Sequence, residues 1–145
     1  MIALGSDHGG YALKEEIKAF LTEKGIPFTD FGTDSEASCD YPIYAEKVCR
    51  SVVSGESEKG ILCCGTGIGM SMAANKIRGI RCACCSDCFS AEMTRRHNDA
   101  NVLSLGGRVV GAGLALKIVE LFLNTPFEGG RHARRVGMVM DLEGR

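Results

Sequence analysis

The chain comprises 145 residues, 45% of them hydrophobic and 24% charged, with 17 basic against 18 acidic side chains, 19 glycines and eight cysteines. A chain of this length buries roughly two thirds of the surface it exposes when unfolded, so it needs neither disulfides nor a structural metal to hold a core. A net charge of −1 supplies no broad field for nucleic acid or an anionic membrane, no apolar run reaches the roughly 18 to 20 residues of a membrane span, and no basic leader precedes Met1-Ile2-Ala3-Leu4.

The expectation is therefore one domain over residues 1–145, in the cytoplasm, with no nucleic-acid or membrane partner. In chain order, residues 2–4 read as a first strand, and Leu13, Ile17, Phe20 and Leu21 then recur at helical spacing up to Gly25, which stands where a helix C-cap belongs. Residues 28–31 form a second β-type run, followed by a helical stripe of Tyr41, Ala45, Val48 and Val52 that ends at Gly55. Residues 61–64, 80–84 and 102–105 are three further runs of strand type. Phe89, Met93 and His97 form the stripe between the last two, and Leu114, Ala115, Ile118 and Phe122 the stripe after them. Alternation of this kind implies an α/β fold with right-handed crossovers and a parallel sheet covered on both faces. Ligands of such sheets bind beyond the carboxyl ends of the strands, where strand order reverses. The glycine-rich segments fall at those ends.

The stretch 129–145 does not continue the alternation. Val136, Val139 and Met140 give it a narrow apolar stripe, so it reads as an extra C-terminal helix that needs a surface to lie on. A helical arm of this kind lies either on its own domain or on a second subunit, and the second is the expectation.

The cysteines invite a metal or redox reading through Cys82-x-Cys84-Cys85-x-x-Cys88 and the Cys63-Cys64 pair. Only Cys85-x-x-Cys88 has the knuckle spacing of a zinc site, and a site normally needs two such knuckles. The alternative is that Cys82 and Cys84 alternate along a strand while Cys49 and Cys88 lie on helices as small hydrophobes. A cysteine-based metal or redox module remains a rival on this ground.

Gly65-Thr66-Gly67-Ile68-Gly69 follows a strand and opens a helix. It is neither a dinucleotide fingerprint nor a Walker loop; its glycines suit either a tight turn or backbone amides converging on an anion. Cys64 stands directly before it. A thiol at a strand end facing a helix N-terminus ionises more readily than a free one and can serve as nucleophile or base. The loop amides and the Thr66 hydroxyl suit an enediolate oxygen. Cys63 points to the other face and belongs to the core. Asp7, either a helix N-cap or a ligand group, and His8 lie in the first strand-end loop. His97 either continues an apolar stripe or works among the polar groups of His97-Asn98-Asp99 at its helix end. Arg131 and Arg135, four apart, form either a solvated face or a clamp for one phosphate, and Arg108 is a further candidate. A thiol base, an oxyanion loop, a histidine acid and a phosphate clamp, with no cofactor motif and no metal in the scheme, are the parts of an aldose–ketose phosphosugar isomerase.

These residues stand in six ordered blocks: Gly5-Ser6-Asp7-His8-Gly9-Gly10; Asp40-Tyr41-Pro42; Cys64 to Gly69 running on to Ala73-Ala74-Asn75-Lys76; His97-Asn98-Asp99-Ala100-Asn101; Gly107-Arg108-Val109-Val110; and Gly129-Gly130-Arg131-His132. With them the chain resembles the type B ribose-5-phosphate isomerases, which group with the galactose-6-phosphate isomerase subunits, over essentially its whole length. The resemblance implies a Rossmann-like three-layer α/β/α sandwich with a five-stranded parallel sheet, and a homodimer or dimer of dimers whose active sites draw on both subunits. It implies Cys64 as the base that moves a proton between C1 and C2, and His97 as the group that opens the furanose ring. Asp7 and Tyr41 would lie near the ring oxygen or hydroxyls. Thr66 with the amides of Gly65, Gly67, Ile68 and Gly69 would hold the enediolate, and Asn98 would contact the sugar. His8, Arg108, Arg131 and Arg135 would bind the phosphate, with His97, Asn98 and some arginines arriving from the partner chain. Some members place a glutamate base on the helix after the loop; cysteine at position 64 points to the thiol branch. The expected reaction interconverts ribose 5-phosphate and ribulose 5-phosphate in the pentose phosphate pathway, with a hexose 6-phosphate such as allose or galactose 6-phosphate as the alternative. A receiver domain of response-regulator type needs an aspartate ending the third strand, where this chain has Cys64.

Overall fold

The computed structural model describes residues 1–144; Arg145, the last residue of the expected C-terminal helix, lies outside the described residues. The elements run β1 (Ile2–Ser6), α1 (Tyr11–Glu23), β2 (Phe28–Asp30), α2 (Tyr41–Val53), β3 (Lys59–Cys64), α3 (Ile68–Ala74), β4 (Cys82–Cys84), α4 (Cys88–Asn98), β5 (Val102–Gly106), α5 (Ala112–Asn124) and α6 (Arg131–Asp141), with one 3-10 turn between β1 and α1 (His8–Gly10) and another after α6 (Leu142–Gly144). The five strands are parallel, in the order β2-β1-β3-β5-β4. Gly25 and Gly55 follow the ends of α1 and α2 with φ of 68° and 83°, the left-handed conformation that a glycine adopts without a Cβ penalty.

Strand alternation divides the core into two layers. Ile2, Leu4, Ile61, Cys63, Leu103 and Leu105 point to one face, where Leu13, Ile17 and Leu21 of α1, Ala91 of α4 and Ala115, Ile118 and Phe122 of α5 cover them. Ala3, Leu62, Cys64 and Val102 point to the other, against Ala45, Val48 and Val52 of α2 and Met70 and Ala74 of α3. The result is a three-layer α/β/α sandwich. No helix among the described residues is long and apolar enough to cross a membrane.

Three expectations need correction. β4 covers only Cys82–Cys84, because the Arg81 amide turns aside to donate to Asn101 Oδ1 at 2.8 Å. β2 stops at Asp30, one residue early. The stripe Phe89, Met93, His97 does not face the core: α4 buries Ala91, Thr94 and Arg95, and Phe89 is 72% exposed. Arg95 decides this rotation. Its guanidinium is buried against α5 and donates to the Ala100 carbonyl at 2.6 Å, Asp99 Oδ1 at 2.9 Å and the Thr125 carbonyl at 3.3 Å. A charge so well satisfied is compatible with burial.

α6 lies beside α4, with its N-terminal Gly129 and Gly130 at positive φ. The Glu143 carboxylate beyond it accepts from the Gly79 amide at 3.0 and 3.2 Å, which ties the tail to its own domain. Between these points Val136 and Met140 are half-buried, Val139 is exposed, and a groove of about 820 Å³ separates α6 from α4 and β4.

Candidate active site

β1 and β3 are neighbours, and the connection from β1 leads outward to β2 while the chain beyond β3 builds the other half of the sheet. Their carboxyl ends therefore flank the point where strand order reverses, the place where open α/β sheets bind ligands. Three loops meet there. Gly9 lies against the third-strand loop so closely that a Cβ on it would be 3.1 Å from the Gly65 nitrogen. From the other side Gly107 donates its N–H to the Cys64 carbonyl at 2.8 Å, and Arg108 donates to the Gly65 carbonyl at 3.0 Å. The Arg108 guanidinium covers Gly65, with Nη1 3.3 Å from where a Cβ would stand.

Asp7 is buried, and its Oδ1 accepts from the Gly10 amide at 3.1 Å, so it does act as an N-cap while its second oxygen stays available at the crevice. His8 Nδ1 accepts the Cys39 N–H at 3.3 Å, with Cys39 Sγ 3.9 Å away. Nδ1 is then the unprotonated nitrogen, leaving Nε2 as the donor. Tyr41, the first residue of α2, lays its ring on the helix turn after the glycine loop, where a Cβ on Gly69 would be 2.8 Å from its Cζ and 3.1 Å from its hydroxyl.

Cys64 is the last residue of β3 and 5% exposed; its Sγ accepts the Gly67 N–H at 3.1 Å. The Ile68 N–H donates to Thr66 Oγ1 at 3.2 Å. Two of the loop amides expected to form an oxyanion cradle are thus already directed, one of them at the sulfur itself. Gly67 holds φ 81°, and a Cβ there would come within 2.9 Å of the Leu105 backbone and 3.1 Å of Cys84 Sγ. Ser104, buried in β5, donates its hydroxyl to the Gly67 carbonyl at 2.6 Å and completes the support of the loop. Ser104 and Cys39 escaped the sequence reading. A lone serine between leucines in a buried strand was a usable signal for the first; nothing marked the second.

Five of the other cysteines, Cys49, Cys63, Cys82, Cys84 and Cys85, are held as thiols. Burial pushes Cys49 up to about 12 and Cys85 up to about 11, and raises Cys63 and Cys82 well above the ordinary thiol range. Cys84 is raised by burial and then by the neighbouring Cys64. Cys82 and Cys84 face one side of β4 and Cys85 is buried on the other, so Cys82-x-Cys84-Cys85-x-x-Cys88 does not converge on one point. Among the described residues the single set of three potential metal ligands with donor atoms within 4.8 Å of one another is His97, Glu128 and His132.

That set belongs to a second cluster. His97 and Asn98 end α4, and Arg131, His132 and Arg135 open α6. The His97 and His132 rings stack with centroids 4.2 Å apart and planes 9° apart. His132 is held below the usual imidazole range by burial, then by the charge of His97 and more weakly of Arg131 and Arg135, while Glu128 works in the opposite sense. Arg131 and Arg135 are exposed.

The two clusters do not meet within one chain. α4 delivers His97 to the edge where β5 begins at Val102, a residue in register with Gly60, whereas Cys64 is in register with Gly106 at the far end. At about 3.3 Å per residue, the four residue steps from Val102 to Gly106 separate these edges by roughly 13 Å. Asp7, His8, Tyr41, Cys64, the loop from Gly65 to Gly69 and Arg108 gather at the carboxyl edge. His97, Asn98, Arg131 and Arg135 gather at the amino edge.

Comparison with known proteins shows the family. The profile of the Ribose/Galactose Isomerase family matches residues 2–139. The chain is 51% identical over 144 residues to ribose-5-phosphate isomerase B of Escherichia coli, covering 99% of this chain and 97% of that one. It is 42% identical over 136 residues to D-erythrulose-4-phosphate isomerase of Pectobacterium atrosepticum, covering 93% and 90%. The structure of ribose-5-phosphate isomerase B from Clostridium thermocellum superposes with a TM-score of 0.97 at 54% identity, over 99% of this chain and 97% of that one. The chain belongs to the ribose/galactose isomerase family and is a sugar-phosphate isomerase.

Proposed function

We propose that the chain interconverts ribose 5-phosphate and ribulose 5-phosphate through a cis-enediolate, with Cys64 as the base. The observation that carries this reading is the Gly67 N–H directed at Cys64 Sγ from 3.1 Å, at a strand end flanked by Asp7, Tyr41 and Arg108. A sulfur given a hydrogen-bond donor and shielded from water is suited to take the proton from C2 and return it at C1, so one group serves both carbons. Thr66 and the remaining amides of Gly65 and Gly69 belong to the same loop and helix turn, and would face the enediolate oxygens as they develop charge. Arg108 and His8 supply positive charge and an N–H donor for the phosphate.

The rest of the site comes from a second copy. With His97, Asn98, Arg131 and Arg135 at the opposite sheet edge, a two-fold axis that brings one chain's amino edge over another's carboxyl edge completes two equivalent sites at once. His97 of the partner subunit then assists ring opening, Asn98 of the partner subunit contacts the sugar, and Arg131 and Arg135 of the partner subunit clamp the phosphate. The exposed Ile68 and Met72 of α3, and Met138, Val139 and Leu142 of the tail, supply apolar surface for such a homodimer. The cytoplasm is the compartment that fits this activity.

The test is turnover of ribose 5-phosphate by the purified protein and by Cys64→Ala, with and without a chelator. Loss of about a thousandfold or more in kcat on substitution, with no effect of chelator, is expected; an active variant refutes the thiol base. A second reading, isomerisation of another phosphosugar, is favoured by the 42% identity to a D-erythrulose-4-phosphate isomerase and by the family's galactose members. Side-by-side assays on tetrose, pentose and hexose phosphates separate the two.

A further inference from the structure

His97 and His132 form a parallel ring pair, and Glu128 in the connection between α5 and α6 faces both members. Its Oε2 lies 3.9 Å from His97 Nε2 and its Oε1 3.6 Å from His132 Nε2. Arg96 Nη1 is 4.0 Å from the same Oε2, and the Glu128 N–H donates to the Arg96 carbonyl at 3.0 Å, which fixes the carboxylate's backbone against α4. His132 is buried, whereas the His97 side chain is 42% exposed and therefore open to a second molecule. Two histidines and a glutamate are also a ligand set for zinc. Parallel rings, however, aim their in-plane lone pairs side by side, while a tetrahedral ion needs donors that converge from about 2 Å. An imidazole pressed on one face by a second ring, with a carboxylate at one nitrogen, is instead the arrangement of an oriented proton carrier.

We propose that Glu128 and His132 are positioning residues for His97: they set the plane of its ring and hold Nε2 toward the carboxylate, so that Nδ1 is presented to the sugar bound by the partner subunit. This rests on the reading in which His97 assists ring opening. In that step the C1 hydroxyl loses its proton, the C1–O4 bond breaks as the C1 carbonyl forms, and O4 takes up a proton, so protons balance. An imidazole that collects the first proton carries positive charge until it delivers one to O4. Glu128 stands where it offsets that charge. His132 does not compete for the proton, because burial and the charge of His97 oppose its own protonation.

Ring opening and proton transfer at C2 can be told apart with ribose 5-phosphate carrying deuterium at C2. Glu128→Gln is expected to lower kcat roughly two- to fivefold, the range of one partly exposed charge pair, with KM within about twofold and the deuterium isotope effect moving to, or staying at, unity as ring opening becomes the slow step. His132→Ala is expected to behave in the same way. His132→Phe, which keeps a ring to stack on, is expected to stay closer to the unsubstituted protein. Unchanged kcat in Glu128→Gln would overturn the proposal. So would a lowered kcat with an isotope effect that rises or stays above unity, because that is damage shared by the whole site. A protein without isomerase activity on ribose 5-phosphate before any substitution would overturn the underlying reading instead.

Discussion

The Ser104 hydroxyl donates to the Gly67 carbonyl across 2.6 Å, and this one bond ties the middle of β5 to the loop that directs an N–H at Cys64. Removing it in Ser104→Ala leaves a carbonyl with an unfilled acceptor and costs roughly 1 to 2 kcal/mol of stability. The loop then loses its register against the sulfur. Turnover is expected to fall about tenfold or more while KM changes little, since the proposed phosphate contacts lie elsewhere; urea unfolding and steady-state kinetics on the same preparation check both parts.

Gly67 is a second point of control. At φ 81°, with Leu105 backbone and Cys84 Sγ where a Cβ would go, Gly67→Ala is both strained and crowded. The expected cost is about 2 kcal/mol or more. Gly25, at φ 68° with nothing near its Cβ position, shares the strain without the crowding. Gly25→Ala should therefore cost less stability and leave kcat unchanged, a comparison that thermal unfolding and kinetics resolve.

The proposed sharing of sites between subunits has a quantitative signature. On that proposal Cys64→Ala and His97→Asn each disable a different contributor, so homodimers of either are expected to be inactive. Random re-association of the two gives half heterodimers, each with one intact site, and so restores about a quarter of the unsubstituted activity. No recovery on refolding the mixture would mean that both residues act from one chain or in different sites.

Asp30 links acid stability to the rim of the site. Burial raises its carboxyl, but hydrogen bonds from Lys14 and Lys18 and from the Gly32 N–H outweigh that and hold it below the usual carboxylate range. Lys14, 1% exposed, also donates to the Thr33 carbonyl at 2.6 Å, so the same ammonium anchors the loop that leads to Cys39 and His8. A carboxyl depressed in the folded state gives stability that is present above its unfolded value near pH 4 and lost as pH falls through the folded one. Asp30→Asn is expected to cost about 3 kcal/mol at pH 7, by leaving the buried Lys14 ammonium with only the more distant Glu15 Oε1, 3.9 Å away, as a carboxylate partner, and to flatten the pH dependence of urea midpoints below about pH 4.

Much of this was legible in the sequence because period and punctuation agreed. Cys63 and Cys64 fall on opposite faces as strand alternation requires, and the β1, β3 and β5 loops meet where an α/β sheet binds its ligand. The rotation of α4 was not legible. Phe89, Met93 and His97 share a helical face, but so do Ala91, Thr94 and Arg95, and the choice was made by carbonyls of Ala100 and Thr125 that only the folded chain brings to Arg95. The separation of His97 from Cys64 was available in principle, since a helix that returns between parallel strands must end at the edge where the next strand starts. Glu128 carried no signal, because its meaning lies in two rings that the sequence places 35 residues apart (132 − 97).

Strand order has a consequence for how the molecule assembles. Among the described residues β5 is the last strand, yet it lies between β3 and β4 and is the only neighbour of β4. A chain emerging from its N-terminus can pair β1, β2 and β3 as they appear, whereas Cys82–Cys84 has no ladder to join until residue 106 has been made. The half of the sheet that frames the Gly67 loop is therefore completed late and cooperatively by a single insertion, through contacts distant in sequence and slow to form. Until then the thiols of β4 and the sulfur of Cys64 are without the walls that distinguish one from the other.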